Sequence, residues 1–175
     1  MVEPERGGCG AVTAALQATI WLSLICFSVG ESGRTFTRAR AMPPAWAWWI
    51  FSTGLVLAVI HTLIAFDTVH HWSHEDAISV TAAQTQAVFG VDVGGGVYVN
   101  YLFFAVWLAD AWWWKAAPAG YARPAIVTWM LRAFYMVIIF NAAVVFVNGI
   151  RRVFGLVIVS WLVRLWSPGA SHSGA

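Results

Sequence analysis

The residues that could do chemistry are concentrated in one stretch, HTLIAFDTVHHWSHED, which runs from residue 61 to residue 76. It holds four of the five histidines and three of the eight acidic residues. If one helix ran through the stretch, Asp67, His70, His71 and His74 would fall at i, i+3, i+4 and i+7 and would share one face. Imidazole and carboxylate groups are typical ligands of zinc, iron(II) and copper(II). The spacing therefore predicts a divalent transition-metal site formed by these four residues.

The same letters leave two alternatives open. Ser73-x-x-Asp76 resembles a capping box, and a new helix beginning there would remove His74 from the shared face. The metal site would then consist of Asp67, His70 and His71 alone. Haem with His61 as one axial ligand is a weaker alternative, because the apolar runs contain no second histidine for a bis-histidine site.

The composition predicts that these residues belong to an integral membrane protein. The chain is 60% hydrophobic and only 10% charged, whereas soluble domains are about half apolar and a quarter charged. Apolar runs of about 20 residues are long enough to cross a bilayer as helices, which satisfy their own backbone hydrogen bonds. Residues 1–175 are therefore expected to form one all-α membrane domain. Its four predicted spans are residues 11–30, 45–66, 95–115 and 126–148.

Two further helices are predicted outside the four spans. The second loop is expected to hold a helix from His74 to Phe89 that lies on the membrane surface and stops at Gly90. The last apolar run, residues 153–166, is short for a crossing and is expected to be interfacial or partly inserted. The predicted fold is thus a four-transmembrane-helix bundle with a surface helix and a short C-terminal helix.

The loop charges predict an orientation in the membrane. The second loop has no Lys or Arg, whereas loops one and three are basic, and basic loops stay in the cytoplasm. Both termini and the histidine-rich stretch would then lie outside a bacterial inner membrane. Arg151 and Arg152 oppose this orientation unless the last run crosses as a fifth helix. The basic residues of loops one and three are Arg34, Arg38, Arg40, Lys115 and Arg123.

Each predicted span carries one polar side chain at a similar depth, about 20–24 Å from the inner face at 1.5 Å per residue. Polar groups in hydrocarbon are costly, so they are expected to face each other. The favoured interpretation is a hydrogen-bonded layer that fixes helix packing, and the alternative is an outward-opening pocket with His61 on its wall. The four residues of this predicted polar layer are Gln17, His61, Asn100 and Asn141.

Two residues of opposite charge lie at similar depths near the cytoplasmic ends of the third and fourth predicted spans. Asp110 lies four residues before Trp114, and Arg132 lies six residues after Ile126. Because a short loop joins these spans, they are expected to be antiparallel neighbours. The sequence therefore predicts a structural ion pair between Asp110 and Arg132.

Two functional classes follow from these patterns. The first is metal or haem binding at the outward-facing Asp/His cluster. The second is a non-catalytic accessory or structural subunit of a larger membrane complex, which contacts other membrane subunits or a second copy of itself. No residue set predicts catalysis, so an enzyme is less favoured, and the scattered basic residues give no footprint for nucleic acid.

Overall fold

A computed structural model describes residues 6–36, 43–117 and 123–167, and this part of the chain is helical without strands. The first half contains α1 (Arg6–Phe36), α2 (Ala45–Thr68) and α3 (His74–Phe89). The second half contains α4 (Gly96–Ala116), α5 (Ala125–Phe140) with a π-helical continuation (Asn141–Val145), and α6 (Ile150–Trp166).

Three of these helices are long and apolar enough to cross a membrane. They are the segments Gly10–Thr35, Ala45–Thr68 and Ala125–Val145. α4 has sufficient length, but Asn100, Asp110 and its tyrosines and tryptophans make it less apolar than the other three. The expectation of a helical membrane protein is supported.

Residues at its two ends determine where α3 begins and ends, and both bounds are the ones that the sequence predicts. The Ser73 hydroxyl accepts a hydrogen bond from the backbone N–H of Asp76 at 3.1 Å and caps the helix start. At the other end Gly90 adopts a left-handed conformation with φ of 72°, which stops the helix. The bounds of α3 are therefore fixed by its own residues.

α1 extends past its predicted end at Gly30, and this is a correction. Glu31 and Arg34, expected in the first loop, belong to the helix and are buried. Their charges are paired with other buried charges. They therefore do not need contact with water. Arg38 and Arg40 of the predicted loop lie outside the described residues.

α1 and α2 are antiparallel and pack closely through small residues. A Cβ added to Gly30 would lie 2.7 Å from the Cβ of Phe51, which is too near for any real side chain. Further along the same contact, the Ser23 hydroxyl donates to the carbonyl of Gly54 at 2.7 Å. Small residues let two helix backbones approach in this way, and polar side chains then bond across the contact.

An aromatic core joins α1 and α2 to α4 and α5. Phe27 is fully buried, with its ring centroid 5.4 Å from that of Phe51, 5.1 Å from Trp107 and 5.0 Å from Tyr135. The Trp107 and Tyr135 contacts are edge-on, a favourable geometry for aromatic pairs. One side chain from each of four helices thus fixes the centre of the bundle.

α6 returns along the bundle toward the C-terminal end of α1. Its Trp161 donates to the hydroxyl of Ser32 at 2.9 Å, and its Trp166 donates to the carboxylate of Glu31 at 3.2 Å. Gly155 packs directly on the backbone carbonyl of Ala143 in the π-helical segment. We call the end of the bundle that carries Glu31, Arg34 and Asp110 the charged end, and the opposite end, which carries His70, His71 and His74, the histidine end.

The course of α6 bears on the predicted position of the termini. α1 begins at the histidine end, whereas α6 finishes beside Glu31 at the charged end. The described stretches of the chain therefore start and finish at opposite ends of the bundle. The expected position of both termini outside stays a prediction, because residues 1–5 and 168–175 lie outside the described chain.

Candidate functional site

The predicted metal-binding face depends on a helix that continues past residue 70, and α2 ends at Thr68. The chain then turns sharply, with His71 at φ 47° and Trp72 at φ 58°, before α3 begins at His74. The i, i+3, i+4, i+7 register is therefore broken within the cluster. The Ser73 cap makes the break energetically favourable, as the alternative sequence interpretation expects.

The side chains of the stretch have separate surroundings. Asp67 accepts a hydrogen bond from the indole N–H of Trp72 at 3.0 Å, and His70 packs on the ring of Phe66. His74 lies beside two tyrosines of α4, with the Tyr101 hydroxyl 3.2 Å from its Nδ1. Within residues 6–36, 43–117 and 123–167, no three His, Cys, Asp or Glu side chains lie close enough together to hold a metal ion. Metal binding by Asp67, His70, His71 and His74 stays a prediction.

The polar layer stays a prediction, because the described hydrogen bonds of its residues go to other partners. His61 Nδ1 lies 2.9 Å from the carbonyl oxygen of Leu16, so its N–H ties α2 to α1. Asn141 donates to the carbonyl of Val137 at 2.7 Å, within its own helix. Gln17 is half-buried and Asn100 is exposed. The four side chains share a depth in the sequence count, but their hydrogen bonds do not join them.

A buried ionic cluster occupies the charged end instead. Both carboxylate oxygens of Asp110 are engaged: Oδ1 by Arg123 at 2.6 Å, and Oδ2 by Arg34 at 3.3 Å and by the Tyr135 hydroxyl at 3.2 Å. Glu31 contacts Arg34 and accepts a hydrogen bond from Trp166. The side chains of Asp110 and Glu31 are fully buried, and those of Arg34 and Arg123 are 8% and 4% exposed.

Among the described residues, the cluster is balanced in charge, and its charged side chains are buried. Two carboxylates, Glu31 and Asp110, meet two guanidinium groups, Arg34 and Arg123. The Arg34 guanidinium also lies over the rings of Phe51 and Trp114, at 5.5 and 5.2 Å from their centroids. Buried charges are tolerated when paired and hydrogen-bonded in this way. Such an arrangement joins α1, α4, α5 and α6.

The sequence places Asp110 in an apolar run and pairs it with Arg132, whereas the contacts described above join it to Arg34, Arg123 and Tyr135. Arg132, the predicted partner, lies with its guanidinium carbon 5.3 Å from the Trp129 ring centroid and 5.6 Å from that of Trp166. The Asp110–Arg132 pair stays a prediction. The i, i+3 spacing of Glu31 and Arg34 is typical of an ion pair on a helix. It indicates such a pair only if α1 continues past Gly30.

The bundle is open near the histidine end on the core-facing side of α4. Asn100 and Trp107 are seven residues apart and therefore lie on the same face of the helix. Trp107 is 1% exposed, whereas Asn100 is exposed. The core-facing side of α4 is thus covered by other helices at Trp107. It is exposed at Asn100, two turns nearer the histidine end.

No protein-family model, curated protein or solved structure matches this chain. Function is therefore inferred from its own residues and contacts. These give a closed ionic cluster at one end and an uncovered polar side chain toward the other.

Proposed function

We propose that the chain is a non-catalytic structural subunit of a membrane assembly. In this proposal α1, α2, α4 and α5 are four spans, α3 lies on the outer membrane surface, and α6 inserts beside α5. A neighbouring protein chain covers the bundle at the level of Asn100. The single observation that carries the proposal is the exposure of Asn100 on the core-facing side of α4.

α4 and α3 have features that suit these roles. The 21 residues of α4 extend about 32 Å, enough for a hydrocarbon core of about 30 Å. α3 has exposed Glu75 and Asp76 in its first turn and reaches from the start of α4 to the ring of Phe146 at the end of the π-helical segment. A helix that lies across the ends of others is suited to an interface with water.

The ionic cluster supports a structural rather than a catalytic role. Its charges neutralise one another, and its carboxylates are fully buried. A catalytic or transporting carboxylate must reach a substrate or exchange protons with it. Glu31 and Asp110 instead hold α1, α4, α5 and α6 together.

Asn100 is the side chain that calls for a partner. An amide exposed to hydrocarbon without hydrogen bonds is unfavourable, and a polar group on a second helix is the usual remedy. The amide both donates and accepts, so it suits another chain's polar side chain or the same asparagine of a second copy. Covering this face completes the open part of the bundle.

Site-specific photo-crosslinking in native membranes tests the proposal. A photo-reactive amino acid at Asn100 is expected to give one protein adduct of defined mass, either a homodimer or a complex with another subunit. The matched control is the same replacement at Leu108, which is 60% exposed on another side of α4 and is expected to face lipid. Lipid adducts alone at both positions would contradict the proposal.

Binding of a transition metal at Asp67, His70 and His71, or of haem at His61, is the competing proposal. The observation in its favour is His70 Nδ1, which is buried without a hydrogen-bond partner in the described chain. Elemental analysis of protein purified without a histidine tag and reloaded with zinc, copper or iron(II) separates the two functions. One metal per chain, lost in the His70→Ala/His71→Ala variant and retained in His61→Ala, would favour metal binding over the structural role.

A further inference from the structure

A groove lined by charged, aromatic and apolar side chains runs between α5 and α6 near the charged end. It encloses about 280 Å³. Arg132 provides the positive charge, Trp129 and Trp166 provide aromatic walls, and Met136 and Val163 provide an apolar surface. Trp129 and Val163 are each at least half exposed, so the groove opens on the outside of the bundle, where lipid is the solvent.

The position of Arg132 gives the groove a direction. Side chains on a helix tilt toward its N-terminus, and the N-terminus of α5 lies at the charged end. A long basic side chain seven residues into an apolar helix therefore extends toward the membrane–water boundary, with its stem along apolar surface. Met136 lies one turn deeper than Arg132, and Val163 lies about one turn deeper than Trp166. The charge is thus nearer the boundary and the apolar lining nearer the bilayer centre.

The wider electrostatics of the charged end favour an anion. Among the described residues this end carries five cations against the two carboxylates of the ionic cluster. The five cations are Arg34, Lys115, Arg123, Arg132 and Arg164.

We propose that this groove binds one anionic phospholipid of the adjacent leaflet. The lipid phosphate contacts the Arg132 guanidinium, whose planar set of N–H donors matches phosphate oxygens. The two indole rings hold that guanidinium by cation–π contact and flank the headgroup at the interface. An acyl chain lies along Met136 and Val163. It provides van der Waals contacts that the open groove lacks.

Native mass spectrometry of the full chain, released from nanodiscs that contain equal amounts of phosphatidylcholine and phosphatidylglycerol, tests the assignment. The wild-type chain is expected to retain one phosphatidylglycerol in preference to phosphatidylcholine. Arg132→Gln is expected to weaken that retention by about tenfold or more, since it removes a charge-assisted contact. The matched control, Arg164→Gln, removes an exposed arginine at the same end outside the groove and is expected to retain the lipid.

A second pair of variants keeps the test independent of the stability of Arg132→Gln. Ala133→Phe places a ring in the groove and is expected to expel the lipid. Ala109→Phe makes the same change on the exposed side of α4 and is expected to have no effect. Millimolar inorganic phosphate is expected to leave the bound lipid in place, because the acyl contacts are absent from the free ion.

Four results would overturn the assignment. They are equal retention of the two lipids by the wild-type chain, equal loss in Arg132→Gln and Arg164→Gln, undiminished retention in Ala133→Phe, and displacement by inorganic phosphate. The last result would identify a site for a soluble anion rather than a lipid. Because none of these readouts depends on Asn100, failure here is distinguishable from failure of the proposed assembly.

Discussion

At the scale of single residues, Asp110 joins α4 to α1 and α5. Its carboxylate receives contacts from Arg34 of α1, Arg123 before α5 and Tyr135 of α5. A buried carboxylate is costly unless its partners are close. Its complete burial therefore makes the charged end sensitive to the loss of either sign of charge.

Asp110→Asn is expected to lower the free energy of unfolding by about 3–5 kcal/mol, because it leaves two guanidinium groups buried without their shared carboxylate. Combining it with Arg123→Gln is expected to recover part of the loss, since both members of the shortest pair are then neutral. Thermal unfolding in one mild detergent measures both effects. Asp92→Asn, at an exposed position, is the control and is expected to be neutral.

The same double-variant cycle decides which arginine is the main partner of Asp110. The 2.6 Å contact leads us to expect stronger coupling with Arg123 than with Arg132. Additive losses for Asp110→Asn and Arg123→Gln would contradict this assignment. A larger coupling with Arg132→Gln would support the pair that the sequence predicts.

The sequence indicated Asp110 because a carboxylate stands out in an apolar run. It could not indicate Arg34 and Glu31 as buried, because Gly30 looked like a helix end. The Asp/His spacing matches a continuous helix, but α2 ends at Thr68 and a new helix begins at the Ser73 cap. Metal binding by these residues therefore stays a prediction. Residue type is visible in a sequence, whereas the backbone that brings residues together depends on competing local signals.

At the scale of elements, the contact between α1 and α2 is closely packed. Gly30 and Gly54 allow the helices to approach to a distance at which a Cβ would meet backbone atoms of the neighbour. Backbone atoms cannot move aside as a flexible side chain can. These two glycines therefore determine how near the helices lie.

Gly30→Ala is expected to lower the melting temperature, with a cost of about 1–3 kcal/mol for overpacking. Gly10→Ala is the matched control in the same helix, because nothing lies within 4 Å of an added Cβ there. That control is expected to be neutral or slightly stabilising, by up to about 1 kcal/mol from helix propensity. Equal melting temperatures for the two variants would show that α1 and α2 do not approach as closely as described.

The bounds of a helix can be predicted where capping residues mark its ends. The contacts of a helix with its neighbours cannot be read from its own sequence in the same way. α3 was expected from His74 to Phe89 because Ser73 and Gly90 mark its ends in the sequence. α6 was expected to be interfacial or partly inserted because its apolar run is short, and this stays a prediction. Its contact with Glu31 depends on Gly155 fitting against the carbonyl of Ala143, which periodicity does not reveal.

At the scale of the whole molecule, charge and tryptophan mark the two ends differently. The charged end has an excess of cations and a set of exposed tryptophans, whereas the described segment between α2 and α4 has acids and no Lys or Arg. Tryptophans gather at membrane–water interfaces, and basic residues remain on the cytoplasmic side. We therefore expect the charged end inside and the histidine end outside. The exposed tryptophans at the charged end include Trp46, Trp49, Trp112, Trp113 and Trp129.

The central claim is that the helices cross a bilayer with the charged end in the cytoplasm, and labelling of single cysteines in sealed cells tests it most directly. After replacement of Cys9 and Cys26, cysteines are introduced one at a time at Gln84, Lys115 and Ser167, all at exposed positions. A membrane-impermeant maleimide is expected to label position 84 in intact cells, and positions 115 and 167 only after permeabilisation. Labelling at 115 and 167 with protection at 84 would invert the orientation. Equal labelling of all three in intact cells would contradict the membrane bundle itself.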